Sequence, residues 1–159
     1  MKTFKEKGLE LVNVENLVDT VWGADRPARP RNQVKILDMK YAGEESLDKY
    51  TRLAGKLDGK PLLVTTLDDI AWLLNLRGTD IDYNPVFFSY VLFYPETKSV
   101  NFYIDAEKVE AIPSYLEGIN VTILPYDQID ADLAELAKKE GQKLAIHANT
   151  CNAHLTSLV

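Results

Sequence analysis

Three side chains near the C-terminus carry metal-binding chemistry. His147, Cys151 and His154 are spaced by four and three residues, so one helical face would offer two imidazoles and a thiolate, a donor set that suits zinc. The competing reading is stronger: His147 ends an expected strand, Cys151 serves as a small apolar filler, and no fourth ligand lies nearby in sequence. Carboxylate pairs are the second candidate, because Asp68 with Asp69, or Asp80 with Asp82, would supply a general acid and base if burial raised one pKa. Asp68 and Asp69 fall in the first turn of an expected helix, where the dipole stabilises negative charge by about 0.3–1 kcal/mol, and capping accounts for them. No activated nucleophile is evident, since Ser89 falls within a strand and Ser99 in a turn, neither in a G-x-S-x-G setting. Gly55, Gly59 and Gly78 fall on separate elements and make no phosphate loop.

The densest group of special residues is the stretch 67–90, LDDIAWLLNLRGTDIDYNPVFFSY. Thr66 stands three residues before Asp69, a capping-box arrangement in which the hydroxyl accepts from the third amide of a helix and the carboxylate reaches back. Ile70, Leu73 and Leu74 then give helical apolar spacing for about two turns, with Trp72 expected in the core. Gly78 offers a positive φ, and Pro85 biases Asn84 towards an extended conformation, so the loop between them is shaped. Arg77 has two readings. Its guanidinium either forks a carboxylate or carbonyl on another domain, or pairs with Asp80 to fix the loop, and the second is favoured.

The elements that would position these residues alternate between helix and strand. An extended piece at 9–12 and a helix over 14–22 precede a proline-bearing connector at 26–30, in which Arg26, Arg29 and Arg31 read as a solvated linker. Ser46 is placed to cap a helix carrying Leu47, Tyr50, Leu53 and Leu57 on one face, followed by a buried strand at 62–65. The run 86–94 reads as a central strand covered on both faces, forming an antiparallel hairpin with 100–104, where Val100, Phe102 and Ile104 share a face. The segment from Glu107 to Leu116 is expected to be helical at least until Pro113; a strand at 121–124 and an amphipathic helix at 129–139 with Leu133 and Leu136 inward come next, and Gly141 stops that helix. A strand at 144–146 and a terminal helix over 149–159 come last, with no internal repeat. The sum is an α/β fold, a mixed five- to six-stranded sheet with helices on both faces.

Composition fits one domain. The chain has 159 residues, of which 46% are apolar, and a net charge of −6 that disfavours nucleic-acid or anionic-membrane surfaces. A single cysteine allows no internal disulfide, the N-terminus MKTFKEKG has no apolar signal region, and no apolar run is long enough to span a bilayer, so a cytoplasmic protein is expected.

The string D-D-I-A-W-L-L-N-L-R-G-T-D-x-x-x-N-P-V-F-F-S-Y at 68–90 resembles the second domain of the X-prolyl aminopeptidases, the aminopeptidase P branch of the creatinase and prolidase metallopeptidases. Upstream, Leu17-Val18-Asp19, Trp22 and the segment Arg26-Pro27-Ala28-Arg29-Pro30 resemble the segment that leads into that domain. The resemblance implies one creatinase-type N-terminal domain over 1–159, with 1–31 as leading segment and proline-rich connector and 32–159 as the α/β core. It also implies partners outside this chain: a first N-terminal domain, and a catalytic domain of pita-bread fold holding two divalent metals, usually manganese, through two Asp, one His and two Glu. The family's first domain places an arginine near the substrate in a D-G-R-Y-like segment. The nearest analogue here, 104–108 (IDAEK), lacks the Gly and the Arg, and carries no such role. Neither of those domains is expected in this chain, which is then inert alone and holds no cofactor. The parent would remove an N-terminal residue preceding proline and form a homodimer, while this domain shapes access to the active site and assembly. Arg77, Asp80, Tyr83 and Asn84 are the candidate contacts to the catalytic domain. Two alternatives are a stand-alone creatinase-type interaction module without peptidase activity, and a small hydrolase using its own carboxylates or zinc.

Overall fold

The computed structural model describes residues 4, 6–10, 12, 14–139, 141 and 143–159, which fall into two compact units, 1–30 and 31–159. In the first unit, helix α1 (Leu17–Trp22) begins where the Asn16 side chain accepts from the Val18 amide at 3.1 Å, satisfying one of the orphan donors of a helix start. A 3₁₀ turn at Gly23–Asp25 follows, and Arg26 pairs with Asp19 at 2.9 Å. Residues 26–30 have no regular structure, as the prolines require. The extended piece expected at 9–12 includes Leu11, which lies outside the described residues; Leu9, Glu10 and Val12 form no strand.

The second unit is built on a five-stranded mixed sheet and a two-stranded one. Its elements in order are β1 (Lys35–Ile36), α2 (Met39–Ala42), α3 (Ser46–Leu57), β2 (Leu62–Val64), α4 (Leu67–Leu73), β3 (Leu76–Arg77), β4 (Tyr90–Tyr94), β5 (Ser99–Tyr103), α5 (Pro113–Gly118), β6 (Val121–Leu124), α6 (Ile129–Ala137), β7 (Ala145–Ile146) and α7 (Ala153–Ser157). The large sheet runs β6-β5-β4-β2-β7, with β4 antiparallel to both neighbours, β5 parallel to β6 and β2 parallel to β7. Strands β1 and β3 pair separately and antiparallel, a small sheet that the short runs Lys35–Ile36 and Leu76–Arg77 gave no pattern to reveal.

The period-two rule divides the core. Val91, Phe93, Val100 and Phe102 face a cluster with Tyr50 of α3, Ile70 and Leu73 of α4, and Leu116 of α5; Leu92 and Tyr103 face Leu133 and Leu136 of α6 and Leu155 of α7. Helices therefore cover both faces of the sheet. Each large aliphatic or aromatic side chain so buried contributes about 1.5–3 kcal/mol.

Several boundaries differ from the sequence expectation: the helix expected over 14–22 begins at Leu17, strand ends move by a residue, and four further differences have a clear physical reason. The central strand starts at Tyr90, not Val86, because residues 86–88 are bonded to the preceding loop instead of to a neighbouring strand. Ser46 is the first residue of α3 and Glu45 its cap; Leu47 is 40% exposed, while Tyr50 and the less obvious Lys49 turn inward. The helix expected from Glu107 is a 3₁₀ turn at Ala106–Val109, and Pro113 begins α5 instead of limiting an earlier helix, since a proline at the first helical position forfeits an amide with no intrahelical partner. Helix α6 ends at Ala137, four residues before Gly141, which adopts φ 79°.

Candidate functional site

Residues 75–89 form a looped arm whose two limbs are laced together. The Gly78 amide donates to the Pro85 carbonyl at 3.2 Å and the Asp80 amide to the Val86 carbonyl at 3.1 Å. At the tip, the Asn84 amide closes a tight turn on the Ile81 carbonyl at 3.1 Å, with Asp82 and Tyr83 as its central residues. Gly78 is required for a different reason than a positive φ. A methyl there would lie 2.8 Å from Phe87 Cβ and 3.0 Å from the Val86 carbonyl oxygen, so glycine lets the two limbs touch.

The loop is anchored from beneath. Asp80 Oδ2 accepts from the Phe88 amide at 2.7 Å and from the Lys108 ammonium, and both charged side chains are sealed from water, at 0% and 1% exposure. Asp80 Oδ1 is buried with no partner among the described residues. The expected Arg77–Asp80 pair does not form. Arg77 instead donates to the Ala71 carbonyl at 2.9 Å and the Leu76 carbonyl at 2.7 Å, so its guanidinium serves the open end of α4, whose last carbonyls have no intrahelical donor. Asp80 found the cation that sequence did not suggest. Lys108 lies 28 residues away, in a 3₁₀ turn, so no local spacing could connect the two.

The other end of the loop has a second unexpected lysine. Lys49, 1% exposed, donates to the Trp72 carbonyl at 2.6 Å and to Asn75 Oδ1 at 2.5 Å, and burial lowers its pKa from the ordinary 10.5. The Asn75 amide nitrogen donates to the Glu44 carbonyl at 2.8 Å, and Asn75 takes φ 50°, a conformation asparagine tolerates and which turns the chain out of α4. Trp72 is not a core residue. It is 40% exposed, with the Lys49 ammonium 4.6 Å and the Arg52 guanidinium 5.5 Å from its ring centre, because Ile70, Leu73 and Leu74 already fill the inward face of this short helix. Thr66 precedes α4 as expected, but its hydroxyl donates to Asp69 Oδ2 at 2.7 Å and caps no amide.

Of the four residues singled out from sequence, Arg77 is half-buried and Asp80 has its carboxylate buried, while Asn84 and Tyr83 are exposed at the tip. Tyr83 is 105% exposed and holds φ 64°. A glycine or asparagine suits that turn position; a tyrosine there accepts backbone strain with no packing in return.

The zinc set is not assembled. His147 Nδ1 lies 3.0 Å from Thr150 Oγ1, His154 Nε2 lies 2.8 Å from Asp130 Oδ2, and Cys151 packs half-buried on the second core cluster. Among the described residues, no three His, Cys, Asp or Glu side chains are grouped to hold a metal, so none fits a two-metal centre. Asp82 is exposed while the Asp80 carboxylate is buried, Asp69 accepts from the Thr66 hydroxyl, and Ser89 donates to the Phe87 carbonyl at 3.4 Å, so these candidates form no acid–base or nucleophile–base pair with one another. No helix among the described residues is long and apolar enough to cross a membrane.

Comparison with known proteins agrees with the loop's signature. Residues 25–159 match the family model described as the creatinase/prolidase N-terminal domain. A probable Xaa-Pro aminopeptidase P of Aspergillus niger is 46% identical over 145 residues, covering 89% of this chain and 23% of the relative; its counterpart in Tuber melanosporum is 47% identical over 140 residues, 85% of this chain and 22% of the relative. The crystal structure of an X-prolyl aminopeptidase from Caenorhabditis elegans, described as a cytosolic enzyme with a di-nuclear active site, superposes with a TM-score of 0.88 at 32% identity over 99% of this chain and 26% of that one. The chain thus spans about a quarter of the length of these relatives. With the matched segment taking in both sheets and the whole anchored loop, the chain belongs to the creatinase/prolidase N-terminal domain family.

Proposed function

We propose that this chain is a non-catalytic N-terminal-type domain of an X-prolyl aminopeptidase-like metallopeptidase, and that the tip of its anchored loop contacts the catalytic domain and narrows the way into the active site. The observation that carries the reading is Tyr83, a fully exposed aromatic held at positive φ by a loop braced on a buried ion pair. Strain without intramolecular return suits a side chain whose partner lies elsewhere. Tyr83 and Asn84 are the contacts, and Arg77 and Asp80 position them from below.

In this reading residues 1–31 lead into a core at 32–159, and together they form one domain beside a first N-terminal domain and a pita-bread catalytic domain. The parent is a cytoplasmic homodimer that removes the N-terminal residue preceding proline. Two divalent metals, manganese, belong to the catalytic domain and would activate the attacking water there. The likeness to a protein described as cytosolic and di-nuclear supports this. No step of that chemistry falls to the residues of this chain.

Two measurements test the proposal. The isolated chain, supplied with manganese and an X-Pro-Pro peptide, releases no free amino acid; turnover would overturn it. In the full-length parent, Tyr83→Ala changes kcat/KM about tenfold for long peptides relative to tripeptides, the scale of one lost aromatic contact, while leaving the melting temperature in place. Unchanged length selectivity would remove Tyr83 from the entrance.

A further inference from the structure

Strands β2 and β7 are adjacent and parallel, yet the chain leaves them towards opposite faces of the sheet. After β2 it enters α4, whose Ile70 and Leu73 join the first core cluster; after β7 it turns through 147–150 into α7, whose Leu155 joins the second. Neighbouring parallel strands whose connections part in this way leave a crevice beyond their carboxyl ends, the place where open α/β sheets take their ligands. A half-enclosed cavity of about 240 Å³ lies there. Its walls come from four segments: Leu53 of α3, Val64 of β2, Leu73 and the exposed indole of Trp72 on α4, and His147 and Thr150 from the turn after β7. An apolar cavity of ~150 Å³ already admits benzene.

The polar groups at this cavity point to one ligand chemistry. Asp69 is the one carboxylate in the lining, and Thr66 engages only its Oδ2, leaving Oδ1 without a bonded partner among the described residues. Of the other polar side chains in the lining, Thr65 donates to the Thr150 backbone carbonyl at 3.2 Å and His147 Nδ1 meets Thr150 Oγ1 at 3.0 Å. Of the cations near Trp72, Lys49 is committed to two carbonyl-type oxygens and Arg52 is paired with Glu44 at 2.6 Å. An apolar chamber with one carboxylate at its rim, on a chain of net charge −6, complements a cation on a hydrophobic body.

We propose that the crevice beyond β2 and β7 binds an apolar primary amine, its ammonium on Asp69 and its hydrocarbon body against Leu53, Val64, Leu73 and the edge of Trp72. The site is independent of the peptidase reading and would persist if Tyr83 proved unrelated to substrate entry. Two sources share this chemistry: a small free amine, and the amino terminus of a peptide whose first side chain is apolar.

The 159-residue chain, labelled with nitrogen-15 and titrated with phenethylamine, is expected to shift amides at 62–73 and 147–150. The neutral 2-phenylethanol should bind about tenfold more weakly, as loss of a charge-assisted hydrogen bond requires, and Asp69→Asn should weaken the amine by a similar factor while sparing the alcohol. Leu53→Phe, which narrows the chamber and keeps the carboxylate, should weaken both probes and serves if the Asp69 variant misfolds. A Leu-Gly-Gly peptide that binds more tightly than phenethylamine, and loses binding on acetylation, identifies a peptide terminus as the source; tighter binding of phenethylamine identifies a free amine. Equal affinity for amine and alcohol, or shifts scattered outside the two segments, would overturn the proposal.

Discussion

Asp80 and Lys108 form a charge pair that water does not reach, so removing either partner strands the other. A buried ion left alone costs about 3–5 kcal/mol, far more than a surface pair contributes. Asp80→Asn should therefore lower the unfolding free energy by about that amount in a urea titration, and a second change, Lys108→Met, should recover much of it because the orphaned charge is gone. A loss below about 1 kcal/mol would mean that Lys108 escapes to solvent. The surface pair Lys138–Glu135, with both side chains more than two-thirds exposed, makes a useful contrast, since its removal should be nearly silent. Sequence suggested that Asp80 held a cation but named the wrong one. Arg77 was near in number, while Lys108 is near only after β4 and β5 have folded back across the sheet. Local spacing is informative about helix caps and turns, and says nothing about partners brought together by topology.

At the level of elements, the anchored loop depends on two limbs approaching more closely than a side chain permits. Gly78→Ala would push a methyl against Phe87 Cβ and the Val86 carbonyl oxygen, both held firmly, and should cost about 1–3 kcal/mol, with the largest amide shifts at 77–88. A change smaller than about 0.5 kcal/mol would mean that the limbs can part. This glycine was visible in sequence, though its role was not: a positive φ and a close approach both select glycine, and only the packing around it separates them. Helices were easier to read than strand ends. The apolar spacing of Ile129, Leu133 and Leu136 marked α6 because a helix declares its buried face every three or four residues. Val86, Phe87 and Phe88 have strand composition but pair with the loop, and β-propensity describes a half-buried pleated surface without specifying what the backbone bonds to. Trp72 was misplaced for a related reason: a seven-residue helix has little inward surface, and three aliphatic side chains use it up.

Across the whole molecule, tyrosine burial sets the response to alkali. Tyr50, Tyr94, Tyr103 and Tyr115 all have hydroxyl pKa values raised above 10.0, chiefly by burial, and for Tyr103 also by donation to Asp132 at 2.7 Å. A raised folded value means that the unfolded chain ionises first, so this contribution is complete below 10.0 and is lost as pH climbs through the folded values. Lys49 acts in the opposite sense, its lowered value relieving a cost as pH approaches 10.5, but it is one group against four. The melting temperature should thus fall steadily above about pH 10, while the gain that Lys49 contributes on the approach to pH 10.5 should be missing in Lys49→Met; a flat profile above pH 10 would show that the tyrosines ionise without unfolding the chain. The mixed sheet and two-sided core were legible because each strand and helix declared its own periodicity. The order of the strands was not, since it is set by contacts between distant segments. That order has a consequence for how the chain comes into being. Strand β2 pairs with β4 soon after both emerge from the ribosome, but its other edge waits some eighty residues for β7. Until then Leu62–Val64 presents an unpaired apolar rim, the kind of edge that recruits strands from other chains, so β7 acts as a seal against misassembly.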